Sequence, residues 1–189
     1  MKFSIAWMLA TWVGWVAGIA FILFLSGACE AIGILHTQFI VGAGMGGGVG
    51  IVQWWLLKRR FNFNFNWVWA SVAGGCVPFL IYDVLRSIGA IGMVADSVLY
   101  CGIVAGLLTS TLQYIVLSRR SNLAIIWMPV CTAGWLISAA SVIGVNYTTH
   151  LSKNLLVLFS LNLGLILSGG VILGCVTVWA LVLITGQEK

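Results

Sequence analysis

The chain has 189 residues, of which 61% are hydrophobic and 7% charged, with a mean hydropathy of +1.11. A soluble domain carries about a quarter charged residues, so the composition excludes a water-soluble enzyme or nucleic-acid-binding domain and indicates an all-α integral membrane protein. The net charge of +5 comes from lysines and arginines clustered at the ends of apolar runs, where basic residues mark membrane boundaries.

The apolar runs predict six transmembrane helices, at about 4–25, 39–57, 67–86, 95–117, 123–145 and 155–184, each long enough for a hydrocarbon core of about 30 Å. The first follows Lys2 and carries Gly14-Trp15. Ser26-Gly27-Ala28-Cys29 approaches a lipoprotein cleavage site, but no leucine lies three residues before the cysteine. The run also exceeds a signal h-region, so a retained helix is expected.

The second run holds Gly42, Gly46, Gly50 and Gln53 and ends in Lys58-Arg59-Arg60. Steps of four, four and three keep the glycines and the glutamine on one helix face. A face without side chains lets a neighbouring backbone approach closely, the usual basis of helix association in lipid. The turn Phe61-Asn62-Phe63-Asn64-Phe65-Asn66 alternates aromatic and amide side chains. Its phenylalanines are expected to dip into the interface while its asparagines face water. Lys58, Arg59, Arg60, Arg119 and Arg120 are expected to meet anionic lipid headgroups, at about 1 kcal/mol per charge, or a cytoplasmic partner.

The third and fourth runs repeat the first two sixty residues later. Gly42, Gly46, Gln53, Leu57, Arg59 and Arg60 recur as Gly102, Gly106, Gln113, Leu117, Arg119 and Arg120. Gly50 becomes Ser110, Trp67 recurs as Trp127, and Gly14-Trp15, Gly74-Gly75 and Gly134-Trp135 fall at the same interval. A fixed period of this kind sets the architecture: three pseudo-repeated helical hairpins, at about 4–60, 61–120 and 121–185, within one transmembrane domain. The third copy diverges. Gly170, Gly174 and Thr177 match Gly46, Gly50 and Gln53 after a four-residue shift, and one inserted helical turn accounts for the shift and for the overlong last run.

This pattern predicts that the second, fourth and sixth helices pack as a dry central trio without an aqueous pore. The odd helices, carrying Trp7, Trp12, Trp15, Trp67, Trp69, Trp127 and Trp135, would then face lipid or neighbours. Gln53 and Gln113 are expected to bond each other, Thr109, Thr111 or Thr177, for about 0.6 to 2 kcal/mol each. The alternative is that a glutamine binds a ligand or metal.

Lys2, Lys58, Arg59, Arg60, Arg119, Arg120 and Lys189 fall on one side of a six-span topology and only Arg86 and Lys153 on the other, which places both termini in the cytoplasm. The opposite face collects Glu30, His36, Asp83, Asp96 and His150. Glu30, His36, Asp96 and His150 form a candidate outer-face ligand cluster, since histidines with carboxylates bind zinc or relay protons. The structural alternative is that Asp96, Thr37 and Ser152 cap helix starts and that Asp83 pairs with Arg86. Cys76, Cys131 and Cys175 read as small apolar fillers, and Cys29 and Cys101 are either free or joined. There is no CxxC, nucleophile elbow, phosphate loop or HExxH spacing, so catalysis is not expected. The lack of charge at mid-depth weighs against active transport.

The repeated G-xxx-G-xx-Q stripe, basic turn and following tryptophan, at residues 42–75 and 102–135 with a degraded copy near 170–180, resemble a set of multi-pass membrane proteins of cyanobacteria and related bacteria. The resemblance implies a prokaryotic inner or thylakoid membrane and three hairpins, and it supplies no substrate. The function expected is a non-enzymatic accessory or assembly subunit that contacts lipids and other integral membrane subunits. In a photosynthetic membrane that role extends to chlorophyll or carotenoid contact, with His36, His150 or a glutamine as ligand. A small-solute or ion transporter or channel is the alternative, and a metal-dependent enzyme at the outer face is the third reading.

Overall fold

The computed structural model describes residues 3–34, 37–92, 97–151 and 153–186. It contains six helices: α1 (Phe3–Ala31), α2 (Phe39–Phe61), α3 (Asn66–Ser87), α4 (Ser97–Ser118), α5 (Trp127–Ile143) and α6 (Leu155–Thr185). Two 3-10 segments, Asn122–Ile126 and Gly144–His150, extend α5 at both ends. With that extension, all six helices are long and apolar enough to cross a membrane, and the chain is a membrane protein. Helices are the natural answer to such a sequence because every backbone donor and acceptor is satisfied within the segment.

The helix ends have local causes. Asn62 takes the left-handed conformation (φ 54°) and returns its N–H to the carbonyl of Lys58, closing α2. Gly186 (φ 66°) closes α6 in the same way on Val182. Asn154 accepts from the Leu156 N–H at the start of α6. Thr37 does not cap α2: its hydroxyl is buried without a partner among the described residues, and Asp83 of α3 supplies the cap. Ser152 lies outside the described residues.

The six helices close into a ring in which each packs on its two chain neighbours and α6 returns to α1. This corrects the expected central trio of α2, α4 and α6. The glycine faces are met by the odd helices beside them. A Cβ on Gly42 would fall on the Gly75 carbonyl, one on Gly46 on Ser71, and one on Gly106 on the Cβ of Trp135 at 2.9 Å. Gly170 and Gly174 are closed by Trp15 and Met8 of α1. Helix α2 also carries a second small face, Gly44 and Gly48, which presses on Ile22 and Gly18 of α1. Two small faces seat a helix between two neighbours, and short turns make those neighbours the adjacent segments of chain.

The tryptophans correct the outer-ring expectation. Trp7, Trp67 and Trp127 are buried (0%, 0% and 1% exposed) and Trp15 nearly so. The first three meet edge to face, with ring centroids 6.3, 6.1 and 5.5 Å apart. Trp12 and Trp69 do face outward. Hydrocarbon gives an indole N–H no acceptor, and acceptors stand on the even helices, so these rings turn inward. Phe63 is buried under Trp67 and Phe61 half-buried against the same core, so of the turn's phenylalanines only Phe65 is exposed. All five cysteines, Cys29 and Cys101 among them, are free in the structure.

Candidate functional site

Two features divide the bundle along its axis. The half toward Lys58–Arg60 and Arg119–Arg120, called here the basic end, contains a layer of buried polar groups clasped around the tryptophan trio. Gln53 accepts from the Trp67 indole at 3.3 Å and donates to the Thr11 hydroxyl at 3.0 Å. Gln113 accepts from the Trp127 indole at 3.0 Å and donates to the Ser71 hydroxyl at 2.9 Å. Each glutamine therefore ties its even helix to the odd helices on both sides. On α6, Thr177 accepts from Trp7 at 2.9 Å and passes its own proton to the Leu173 carbonyl. Thr177 thus spends its one proton on its own helix, and Cys131, which stands sixty residues from Ser71 as Ser71 does from Thr11, donates instead to Gln113 at 3.5 Å. Leu57, Leu117 and Leu181, each fully buried, lie one turn further toward the basic end.

These bonds differ from the expected ones. The glutamines reach neither each other nor Thr109 and Thr111: the Thr111 hydroxyl bonds its own helix at Leu107. Thr11, Ser71 and Cys131 were not foreseen, although they recur at the same sixty-residue interval as the tryptophans.

The other half of the ring encloses a cavity of about 190 Å³ to which all six helices contribute. Trp15 and Trp135, with ring centroids 6.0 Å apart, form part of its floor. Gly75, sixty residues from both Trp15 and Trp135 in sequence, also borders the cavity, and its own face is pressed on α2, where a Cβ would fall 2.6 Å from the Gly42 carbonyl oxygen. The upper wall is apolar, drawn from Ile19, Ile22, Phe79, Val98, Val142 and Ile166 among others, and among the described residues Thr109 contributes the one side-chain hydroxyl. Gly102 also lines the cavity, and a Cβ there would meet no atom within 4 Å. The predicted packing glycines thus divide: Gly42, Gly46, Gly50, Gly106, Gly170 and Gly174 are in tight contact, while Gly102 borders open space.

At the end opposite the basic turns, Asp83 accepts from the backbone N–H groups of Gln38 and Phe39, both at 2.8 Å. The Gln38 side chain donates to Ser97 at 2.8 Å, tying the starts of α2 and α4 together. Of the proposed ligand cluster, Glu30 and His150 are exposed, and His36 and Asp96 lie outside the described residues. No three histidine, cysteine or acidic side chains converge to hold a metal among the described residues.

The basic side chains lie along aromatic faces. Lys58 sits 4.9 Å over Trp54, Arg59 3.6 Å over Trp55 and Arg120 4.4 Å over Phe63. Arg120 also donates to the carbonyls of Phe61 and Asn62 at 2.5 and 3.0 Å, so it holds one basic turn onto the other. Arg60 and Arg119 are exposed. A cation resting on an interfacial ring keeps its charge at headgroup depth while its stem covers apolar surface. No family model, curated relative or solved structure matches the chain.

Proposed function

We propose that the chain is a non-enzymatic accessory or assembly subunit of a larger complex in a prokaryotic inner or thylakoid membrane, with both termini and the basic turns cytoplasmic. Its body is three copies of one hairpin closed about a pseudo-threefold axis that runs through the tryptophan trio. The polar clasp supports a rigid body, because the buried amides and indoles are consumed in tying neighbouring helices together.

The observation that carries the reading is an unused packing ridge on α6. Ser160 and Gly164, four residues apart, are both exposed, and a Cβ on Gly164 would meet nothing within 4 Å. Around them Leu155, Leu156 and Phe159 are 82%, 77% and 65% exposed. Gly42, Gly46 and Gly50 on α2 and Gly170 and Gly174 on α6, at that same spacing, are pressed against another helix. A small-xxx-small ridge left facing lipid fits an apolar transmembrane helix from another subunit. The cavity falls below the ~300–1,000 Å³ of pockets that enclose drug-sized ligands, so any tetrapyrrole contact belongs on the outer surface.

The test is extraction from native membranes in a mild detergent. The wild-type chain should migrate in a larger assembly with another subunit, and Ser160→Leu/Gly164→Leu should migrate alone while keeping its helicity. Wild-type protein found only as monomer or homo-oligomer would contradict the proposal.

A second reading, a small-solute transporter, is favoured by the one-sided cavity. It predicts flux in proteoliposomes that falls when Gln53 and Gln113 are changed to Leu. A stable wild-type protein without flux for any solute tried would remove it.

A further inference from the structure

We infer that the cavity between the six helices is a binding site for one linear hydrocarbon tail of a membrane lipid. Three observations lead there. The first is chemistry. Among the described residues the wall is apolar apart from the Thr109 hydroxyl, and a water needs two to four polar partners to be held in a cavity. At about 190 Å³ the space slightly exceeds the ~150 Å³ apolar cavity that stays dry and takes up benzene.

The second is shape. On α1 the lining runs from Trp15 to Ile22, which at 1.5 Å per residue is roughly 10 Å along the bundle. On α4 it runs from Val98 to Thr109, roughly 16 Å, so the space is elongated along the helices and suits a linear chain laid parallel to them. The Trp15–Trp135 pair closes the lower end, so a chain entering from the opposite end has a fixed depth.

The third is access. Val98 of α4 and Val142 of α5 line the cavity and are 47% and 37% exposed, and Gly102 beside them has open space where a side chain would stand. The gap lies in a segment that crosses hydrocarbon, so lipid tails are the molecules that reach it. Moving a tail from bilayer to cavity gains little from the hydrophobic effect, since both are apolar. The gain is dispersion contact along a wall that otherwise has no partner atoms.

The probe is a phosphatidylcholine with brominated stearoyl chains. The full-length protein is reconstituted with it, re-extracted, exchanged exhaustively into mild detergent, and analysed for bromine and by native mass spectrometry. Wild-type protein should retain one brominated lipid per chain. Gly102→Leu, whose Cβ meets no atom within 4 Å, should lower retention at least about tenfold, the effect of side-chain volume placed where the ligand sits. Gly164→Leu adds the same volume on the outer surface and should retain lipid as the wild type does. In protein taken directly from its native membrane, mass spectrometry of the retained molecule separates an acyl from a prenyl tail, either of which carries the required chemistry. Wild-type protein without retained lipid, or equal retention in wild type and Gly102→Leu, would overturn the assignment. The Gly164→Leu arm also separates this site from partner docking on α6, because each site can fail without the other.

Discussion

The indole of Trp127 donates to the side-chain carbonyl of Gln113 at 3.0 Å, fully inside the bundle. Trp67 makes the same bond to Gln53. The amide's other end reaches a hydroxyl on the helix across the seam, so one side chain fastens three helices. Changing Gln113 to Leu should destabilise the protein by about 1–3 kcal/mol, because the Trp127 N–H is left buried without an acceptor. A double-mutant cycle of Gln113→Leu with Trp127→Phe, read by unfolding in mixed micelles, should give a coupling of about 0.6–2 kcal/mol. Additive effects would show that the bond contributes nothing.

Gly42 and Gly102 are equivalent by sequence and opposite in surroundings. A methyl on Gly42 would meet the Gly75 backbone, which cannot move aside as a flexible side chain can. Gly42→Ala should therefore cost about 1–3 kcal/mol, whereas Gly102→Ala should be neutral or stabilising by up to about 1 kcal/mol through helix propensity. Thermal unfolding in detergent distinguishes them, and equal losses would contradict the packing described.

That contrast shows what could be read from sequence and what could not. The six spans are legible because an apolar run of twenty residues has one use, and α2 begins where expected, at Phe39. The sixty-residue spacing of Trp67 and Trp127, and of Gln53 and Gln113, is a feature of the sequence itself. Direction is not. A glycine stripe announces close approach without naming which helix approaches: the pattern points Gly46 at another even helix, and Ser71 of α3 meets it. Tryptophan is ambiguous for a related reason: its body suits lipid and its N–H does not. Trp7, Trp67 and Trp127 resolve that conflict inward, while Trp69 stays exposed. The cavity is not legible because nothing in the sequence marks Gly102 as bordering open space while Gly42, sixty residues before it, is pressed on Gly75.

Asp83 holds, from a different helix, the N–H groups of Gln38 and of Phe39, the first residue of α2. Asp83→Ala should cost about 1 kcal/mol, the usual value of a lost N-cap carboxylate. Hydrogen exchange at the Gln38 and Phe39 amides should accelerate while the Gln53 region stays protected. Unchanged exchange at those two amides would show that the cap is dispensable.

Arg120 joins the two basic turns through a two-pronged contact with the carbonyls of Phe61 and Asn62 and a stack on Phe63. Arg120→Lys keeps the charge but loses the planar fork. It should lower the midpoint of thermal unfolding nearly as far as Arg120→Ala does, by the equivalent of about 1 kcal/mol. Full retention of stability in Arg120→Lys would mean that charge alone matters there.

The ring itself is tested most directly at the seam where the last helix meets the first. The Cys175 thiol lies 3.8 Å from the sulfur of Met8. In a chain with Met8→Cys and the other four cysteines replaced by alanine, mild oxidation should join α1 to α6, so that fragments cut in the turn at residues 61–66 remain together until reduced. Fragments that separate without reductant, from protein that is otherwise folded, would contradict a closed ring of six helices.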